Sequence, residues 1–380
     1  MRILPIASGK GGVGKSLLAA NLAIVLGEAG KSVILADLDL GASNVHQILG
    51  LKKSDEGIGT YLTRSNSSLA DMVQETDYLN LRVLPGDTEI PGLANLQSHQ
   101  KKKLIRGLAS LDADYLILDL GAGTSFNTID FFLMTKHGIV ITSPTLTSTL
   151  NAYLFLKNVI FRLITDSFTR KSPAMARLEE MKKDGTSLQR VYIPQLIREL
   201  GALDPEGHQV LTRHLTSFRP LFVLNMLDNP RDVEKGDKIK RSCQEYLGIE
   251  IEHLGVIYRD HMQDVALRSR LPITRYKPES VISQAIYRMA DKIIQTTGDD
   301  RDLLEIPGMD ESFQVAELEA EVDFSAKVDE LQRLLHTGAL TQGDLLETIK
   351  SQQFEISSLK KENQLLKTKL LKALEPGDRR

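Results

Sequence analysis

Between an apolar run, Ile3 to Ala7, and a stretch of helical periodicity, Lys15 to Glu28, the chain reads Gly9-Lys10-Gly11-Gly12-Val13-Gly14-Lys15-Ser16. This satisfies GxxxxGK[ST] in full, and a strand before it with a helix after it is the setting in which the pattern folds into a phosphate cradle. Glycines let consecutive backbone N–H groups turn inward around anionic oxygens, and the following helix directs its positive dipole end at the same place. Lys15 is placed to reach the β- and γ-phosphates of a nucleoside triphosphate. Ser16 offers a hydroxyl to Mg²⁺, a cation that keeps most of its waters and needs few protein ligands.

A strand leading through such a loop into a helix implies an α/β chain, and the remaining pattern agrees. Short apolar runs at Ile3–Ala7, Val33–Asp37, Leu81–Leu84, Tyr115–Asp119, Gly138–Thr142, Leu221–Leu224 and Leu254–Ile257 read as strands. Several are apolar at consecutive positions, as strands buried on both faces are. Helical stretches at Lys15–Glu28, Lys101–Ser110, Ala152–Thr165, Val233–Tyr246 and Ser280–Gln295 alternate with them. The expectation is a mostly parallel, doubly wound sheet covered by helices, spanning residues 1–296. Residues 166–219 are too long for an ordinary connection and contain Pro173, Pro194 and Pro205. They are read as an insertion, a small helical subdomain in preference to a lid.

The polar, acidic segment 297–312 reads as a linker, and residues 313–380 as a helical tail. Within 342–374, Ile349, Ile356, Asn363 and Leu370 recur every seven residues, with Leu345, Leu359, Leu366 and Ala373 between them. That is a two-line seam with one polar a position, the pattern of a two-stranded coiled coil; a single amphipathic helix folding back is the alternative.

Acids cluster at strand ends. Asp37 and Asp39 close the second strand with alternating direction, so that one can face the P-loop lysine and metal while the other faces an attacking water. Asp119 ends the apolar run Tyr115-Leu116-Ile117-Leu118, where a carboxylate holds Mg²⁺ through water. Gly121-Ala122-Gly123 follows, a run able to move as it senses the γ-phosphate. Asn225 closes the strand Leu221–Leu224.

Lys10, the second residue of the loop, is what marks the deviant phosphate loop of the MinD/ParA family, which this chain resembles. The likeness continues through Asp37-Leu38-Asp39, Asp119-Leu120-Gly121-Ala122-Gly123 and Asn225, over roughly the first 290 residues. Gly41-Ala42-Ser43-Asn44 resembles MinD and the flagellar regulator FlhG more than the Pro-Gln that follows the same acids in plasmid-partition ParA proteins. The resemblance implies ATP bound by Gly9 to Ser16 and Asn225, with Asn225 reading adenine, and Mg²⁺ held by Ser16, Asp37 and Asp119. It implies that Lys10 crosses to the ATP of a second copy, that Asp39 positions the attacking water, and that Asn44 belongs to the same switch. With Lys10, Lys15, Asp39 and Asn44 as the catalytic set, the expected function is an ATP-dependent dimerising switch. It would hydrolyse ATP slowly until a protein partner stimulates it, and would control the location or assembly of a flagellum, division site or polar complex.

Two alternatives are a metabolic enzyme of the same superfamily, such as a cobyrinic-acid amidating synthase, and a ParA-type DNA-partition ATPase. Cys243 is the only cysteine, so cysteine pairs for a cluster are absent, and its helical setting ill suits a catalytic thiol. A formal net charge of −3 supplies no global field to draw in nucleic acid. The lone cysteine fits a reducing cytoplasm, and no stretch approaches the roughly 18 consecutive apolar residues of a membrane span. Peripheral contact with a membrane or cell pole through the basic last helix is a secondary reading.

Overall fold

The computed structural model describes residues 1–40, 43–54, 56–64, 67–86, 96–183, 191–296 and 309–336, with isolated helical positions at Gly343, Leu346, Lys350, Gln353 and Ser357. The seam between 342 and 374 otherwise lies outside the described residues, as do Gly41 and Ala42. The chain divides into two units, Met1–Asp323 and Phe324–Arg380.

The first unit is built on one sheet. Its strands in chain order are β1 (Arg2–Ala7), β2 (Val33–Leu38), β3 (Gln74–Glu75), β4 (Leu81–Leu84), β5 (Tyr115–Leu120), β6 (Ile139–Thr142), β7 (Leu221–Leu227) and β8 (Glu252–Tyr258). They lie side by side in the order β3-β4-β2-β5-β1-β6-β7-β8. Every pairing is parallel except β3 with β4. The expected parallel α/β sheet is therefore the one observed. The antiparallel edge strand β3 is two residues long, too short to leave a period-2 signal in the sequence.

Apolar runs dictate this layering. β2 and β5 are buried at all six positions, as strands with helices on both faces must be. Helix α1 (Lys15–Glu28) is apolar nearly all round and buried from Leu18 to Gly27, so it is a central helix rather than a surface one. The order of strands reverses at β1, whose neighbours are β5 on one side and β6 on the other. A crevice forms beyond the carboxyl ends of strands at such a reversal, and the loop Gly9–Ser16 leaves β1 at that end.

The insertion is helical. α6 (Leu146–Ser167) runs into α7 (Pro173–Lys183), α8 (Ile193–Leu203) and α9 (Pro205–Ser217), which pack on one another and back on α6. The prolines that break the sequence pattern here each stand in the first turn of a helix, where no amide hydrogen bond is lost. Asp204 caps α9 by accepting the Gly207 N–H at 2.9 Å.

The end of the core differs from the sequence reading, which closed it at residue 296 and began a tail at residue 313. Helix α14 (Met309–His336) buries Phe313, Ala316, Ala320 and Asp323 within the first unit. Tyr258 donates its hydroxyl to Ala320 O at 2.7 Å. Arg288 and Lys292, on the helix Val281–Gln295, pair with Asp323 at 2.5 Å and Glu319 at 2.7 Å. Two alanines allow the close approach, and Phe313, Ala316 and Ala320, at successive steps of three and four residues, form a narrow apolar stripe.

Under that stripe lies His253 of β8. Its ring meets the Phe222 and Phe313 rings edge-on, with centroids 5.9 and 5.1 Å away, and neither ring nitrogen has a hydrogen-bond partner. Burial, reinforced by the charge of Lys292, lowers its pKa to about 3. Folding thus holds His253 neutral. Its contribution is complete above the unfolded value of 6.5 and is lost as pH falls toward the folded one. Between pH 7 and pH 5 the expected loss is about 2 kcal/mol, read by urea unfolding at the two pH values. A His253→Leu chain should lose that share of the pH slope; an unchanged slope would refute the assignment.

Candidate functional site

Register places the acids. Asp37 of β2 stands opposite Asp119 of β5, and Asp119 stands opposite Ile6 of β1, near the end of that strand and just before the phosphate loop. All three chains of residues therefore converge on one crevice without any long-range coincidence.

The loop itself carries the backbone its glycines allow. Gly12 and Gly14 lie at φ of 78° and 89°, left-handed values that disfavour side chains. Gly14 stands at the N-terminus of α1 with no side-chain cap, which leaves the N–H groups of that helix start for an anion. Gly11 and Gly12 face open space, whereas a Cβ at Gly9 would fall 2.0 Å from Asn151 O on α6. Val13 is buried and anchors the loop, and Ser8 donates to Lys10 O at 2.9 Å.

Lys15 is buried with its Nζ 2.6 Å from Asp119 Oδ1 and 3.4 Å from Ser16 Oγ. Asp119 Oδ2 is buried and has no partner. Burial raises the Asp119 pKa, and the Lys15 charge opposes that rise. An unpartnered carboxylate oxygen beside a serine hydroxyl and a helix start is a hard-oxygen set that fits Mg²⁺ with a nucleotide phosphate. The residues present therefore fit both groups.

Lys10 differs from Lys15 in every respect. Its side chain is exposed at the rim of the loop, with Nζ 3.4 Å from Thr147 Oγ1. Asp39 is half-buried, and its Oδ1 lies 3.4 Å from the Cβ position of Gly121. A cleft of about 300 Å³ opens there between Leu38, Asp39, Leu120, Gly121, Ala122 and Asn127. Gly123, at φ 96°, donates its N–H to Ser8 O at 2.9 Å, so the switch-like run rests on the start of the phosphate loop.

The sequence reading brought Asp37 to Mg²⁺ and Asn225 to adenine. The structure places Asn225 on the phosphate loop itself. Its Nδ2 donates to Val13 O at 2.8 Å, and its Oδ1 accepts the Met226 N–H at 2.8 Å. Asp37 is buried and turned to its own strand-end loop: Oδ1 accepts the Asp39 N–H at 3.1 Å, and Oδ2 accepts Ser43 Oγ at 2.6 Å. Asn44 and Val45 donate their N–H groups to the same Oδ2, each at 3.2 Å. Burial and then the Asp119 charge push the Asp37 pKa up to about 6, against these hydrogen bonds. The side chain of Asn44 is exposed. Ser43 and Thr147, which touch Asp37 and Lys10, went unremarked as site residues because serine and threonine in polar loops carry no distinguishing pattern.

Residues 1–157 match the ParA family model, described as NUBPL iron-transfer P-loop NTPase. Those residues are similar in sequence to P-loop NTPases of the MinD/ParA type. It is 26% identical over 168 residues to the antiactivator FleN of Pseudomonas aeruginosa, covering 41% of this chain and 56% of FleN. It is 31% identical over 147 residues to the septum site-determining protein MinD of Helicobacter pylori, covering 38% of this chain and 54% of that MinD. The flagellum site-determining protein YlxH of the same organism is 29% identical over 167 residues, 41% of this chain and 53% of YlxH. The chain thus spans little more than half the length of the curated relatives it matches. In fold it is similar to MinD of Pyrococcus horikoshii, solved as a complex with Mg-ADP: the TM-score is 0.52 at 21% identity, over 80% of this chain and 99% of that one.

The glycines make a direct test of the loop. An alanine at Gly14 meets both a left-handed φ and Asn225 Nδ2 at 2.3 Å, so Gly14→Ala should cost about 1–3 kcal/mol in thermal stability and abolish nucleotide binding. Gly11→Ala has nothing within 4 Å and should leave stability within about 0.5 kcal/mol of the parent. Equal melting temperatures for the two variants would contradict the loop conformation.

Proposed function

We propose that this protein is an ATP-operated dimer switch: the ATP-bound form pairs with a second copy, and hydrolysis ends the pairing. The observation that carries the reading is the division of labour between two lysines of one loop. Lys15 is buried on Asp119, in position for its own nucleotide, while Lys10 stands exposed at the rim. A cation held outward beside a phosphate cradle suits a contact with a second anionic site, which two facing nucleotides would otherwise repel.

Within one copy, the backbone of Gly11 to Ser16 and the start of α1 would bind the phosphates. Ser16 and Asp119 would hold Mg²⁺, whose charge would neutralise the β- and γ-phosphate oxygens. Lys15 would exchange Asp119 for the phosphates as the nucleotide enters. Asp39, beside Gly121 at the mouth of the cleft, would orient the water that attacks the γ-phosphorus as the bond to the β-γ bridging oxygen breaks and ADP leaves. Asn225 would steady Val13 from below.

FleN, YlxH and MinD are named for antiactivation, flagellum site determination and septum site determination. These names support placement of a flagellum, division site or polar structure as the output, through a protein partner that stimulates hydrolysis. The metabolic alternative is disfavoured by Cys243, which is buried with its thiol pushed up to about 12, a setting for an inert thiol rather than a nucleophile. No described helix is long and apolar enough to cross a membrane.

The test uses light scattering with ADP and with ATP, and a phosphate-release assay. Lys10→Ala should retain ATP affinity and lose the ATP-dependent doubling of mass. Asp39→Ala should bind ATP, accumulate as the dimer and hydrolyse about a hundredfold more slowly or worse. A Lys10→Ala variant that dimerises like the parent would sink the sandwich mechanism.

A further inference from the structure

Asp37 and Asp119 sit side by side at the strand ends, yet their carboxylates are engaged in opposite ways. Asp119 keeps one oxygen without a partner. Asp37 receives four donors: the N–H groups of Asp39, Asn44 and Val45 and the Ser43 hydroxyl. A carboxylate offers about two lone-pair positions on each oxygen, so the loop takes all of Oδ2, with three donors, and one position of Oδ1. Its surroundings close over this arrangement. A Cβ on Gly86 would stand 2.6 Å from Asp37 O and 3.4 Å from Ser43 Cβ, so the turn after β4 lies directly on the pair.

We infer that Asp37 is a positioning residue that fastens the loop carrying Asp39, and that Mg²⁺ is left to Ser16 and Asp119. One oxygen fixes the backbone of Asp39 through its own N–H. The other ties the far end of the same loop, Ser43 to Val45, to the end of β2. Asp39 on one side and Ser43 to Val45 on the other are thereby held by a single side chain. A metal drawing on Oδ2 would have to displace at least one of its three donors, and one drawing on Oδ1 would compete for the oxygen that holds the Asp39 N–H, in either case pulling on the loop just when Asp39 is needed. The inference rests on the reading of Asp39 as the residue that orients water, and extends it to what holds Asp39 in place.

Four variants of the full chain separate the roles: Asp37→Asn, Ser43→Ala, Ser43→Thr and Asp119→Asn. Three readouts apply: amide exchange across the loop, ADP affinity titrated with Mg²⁺, and steady-state ATP hydrolysis. Asp37→Asn turns an amide toward N–H groups, and Ser43→Ala removes the 2.6 Å bond without altering any charge. Both should speed exchange at Asn44 and Val45 by about ten- to a hundredfold. Both should lower kcat while KM and the Mg²⁺ half-saturation stay within about twofold. Ser43→Thr keeps the hydroxyl and should restore both. Asp119→Asn should lose Mg²⁺-dependent affinity with exchange at Asn44 and Val45 unchanged. An Asp37→Asn chain that needs as much extra Mg²⁺ as Asp119→Asn, or whose loop exchanges at the parental rate, overturns the assignment. A parent that hydrolyses no ATP would defeat the switch reading instead, while exchange and Mg²⁺-titrated ADP binding would still decide the role of Asp37.

Discussion

The ion pair between Lys15 and Asp119 is the contact on which the rest of the crevice depends. Both groups are withdrawn from water, Lys15 to 7% and Asp119 to 0% exposure, and they stand 2.6 Å apart. Burying either alone would leave an uncompensated charge, at a cost of about 3–5 kcal/mol. Together they join the phosphate loop after β1 to the end of β5. Separate contacts brace the elements around that junction: Asn225 supports the loop from β7, Gly123 leans on Ser8, and Asp37 organises the neighbouring strand end. The pair also has only one half of its acid satisfied, which gives the crevice an unmet demand for positive charge. Structure and receptivity thus come from the same two side chains.

The parallel sheet explains why these residues meet at all. Parallel strands deliver their carboxyl ends to one edge of the sheet, and the order reverses at β1, so loops from β1, β2, β5 and β7 open toward a common space. The short spacing between Asp37 and Asp39 then lets one strand supply both a buried acid and a half-exposed one. Burial decides their division of labour: the inner carboxylate is consumed by backbone donors, and the outer one is left beside Gly121 and the cleft.

Much of this was legible in the sequence for physical reasons. The loop Gly9–Ser16 has a fixed spacing because its backbone must wrap an anion, and the strands Val33–Leu38 and Tyr115–Leu120 are apolar throughout because both faces are covered. The contacts that Asp37 and Asn225 make were not legible. Hydrogen bonds to Ser43 Oγ and Val13 O depend on a tertiary approach, and neither acid–serine nor asparagine–carbonyl contacts leave a periodic trace. The early end drawn for the core has a similar origin. Phe313, Ala316 and Ala320 lie beyond a polar stretch, and two alanines are a weak apolar signal even though they allow a helix to sit close on β8. The seam with Asn363 falls outside the described residues.

That helix has a further consequence for crowding. β8 and β3 are the two margins of the sheet, and an open margin is a template on which another copy can add strands without limit. At one margin β3 is only two residues long. At the other, Ser312 accepts the His253 N–H through its hydroxyl at 3.4 Å, and the turns from Phe313 to Asp323 cover the strand. Wherever copies of this chain reach high local concentration, they meet one another margin to margin. With both margins guarded, such encounters are steered toward side-chain contacts, which can let go, and away from backbone ladders, which grow into fibrils.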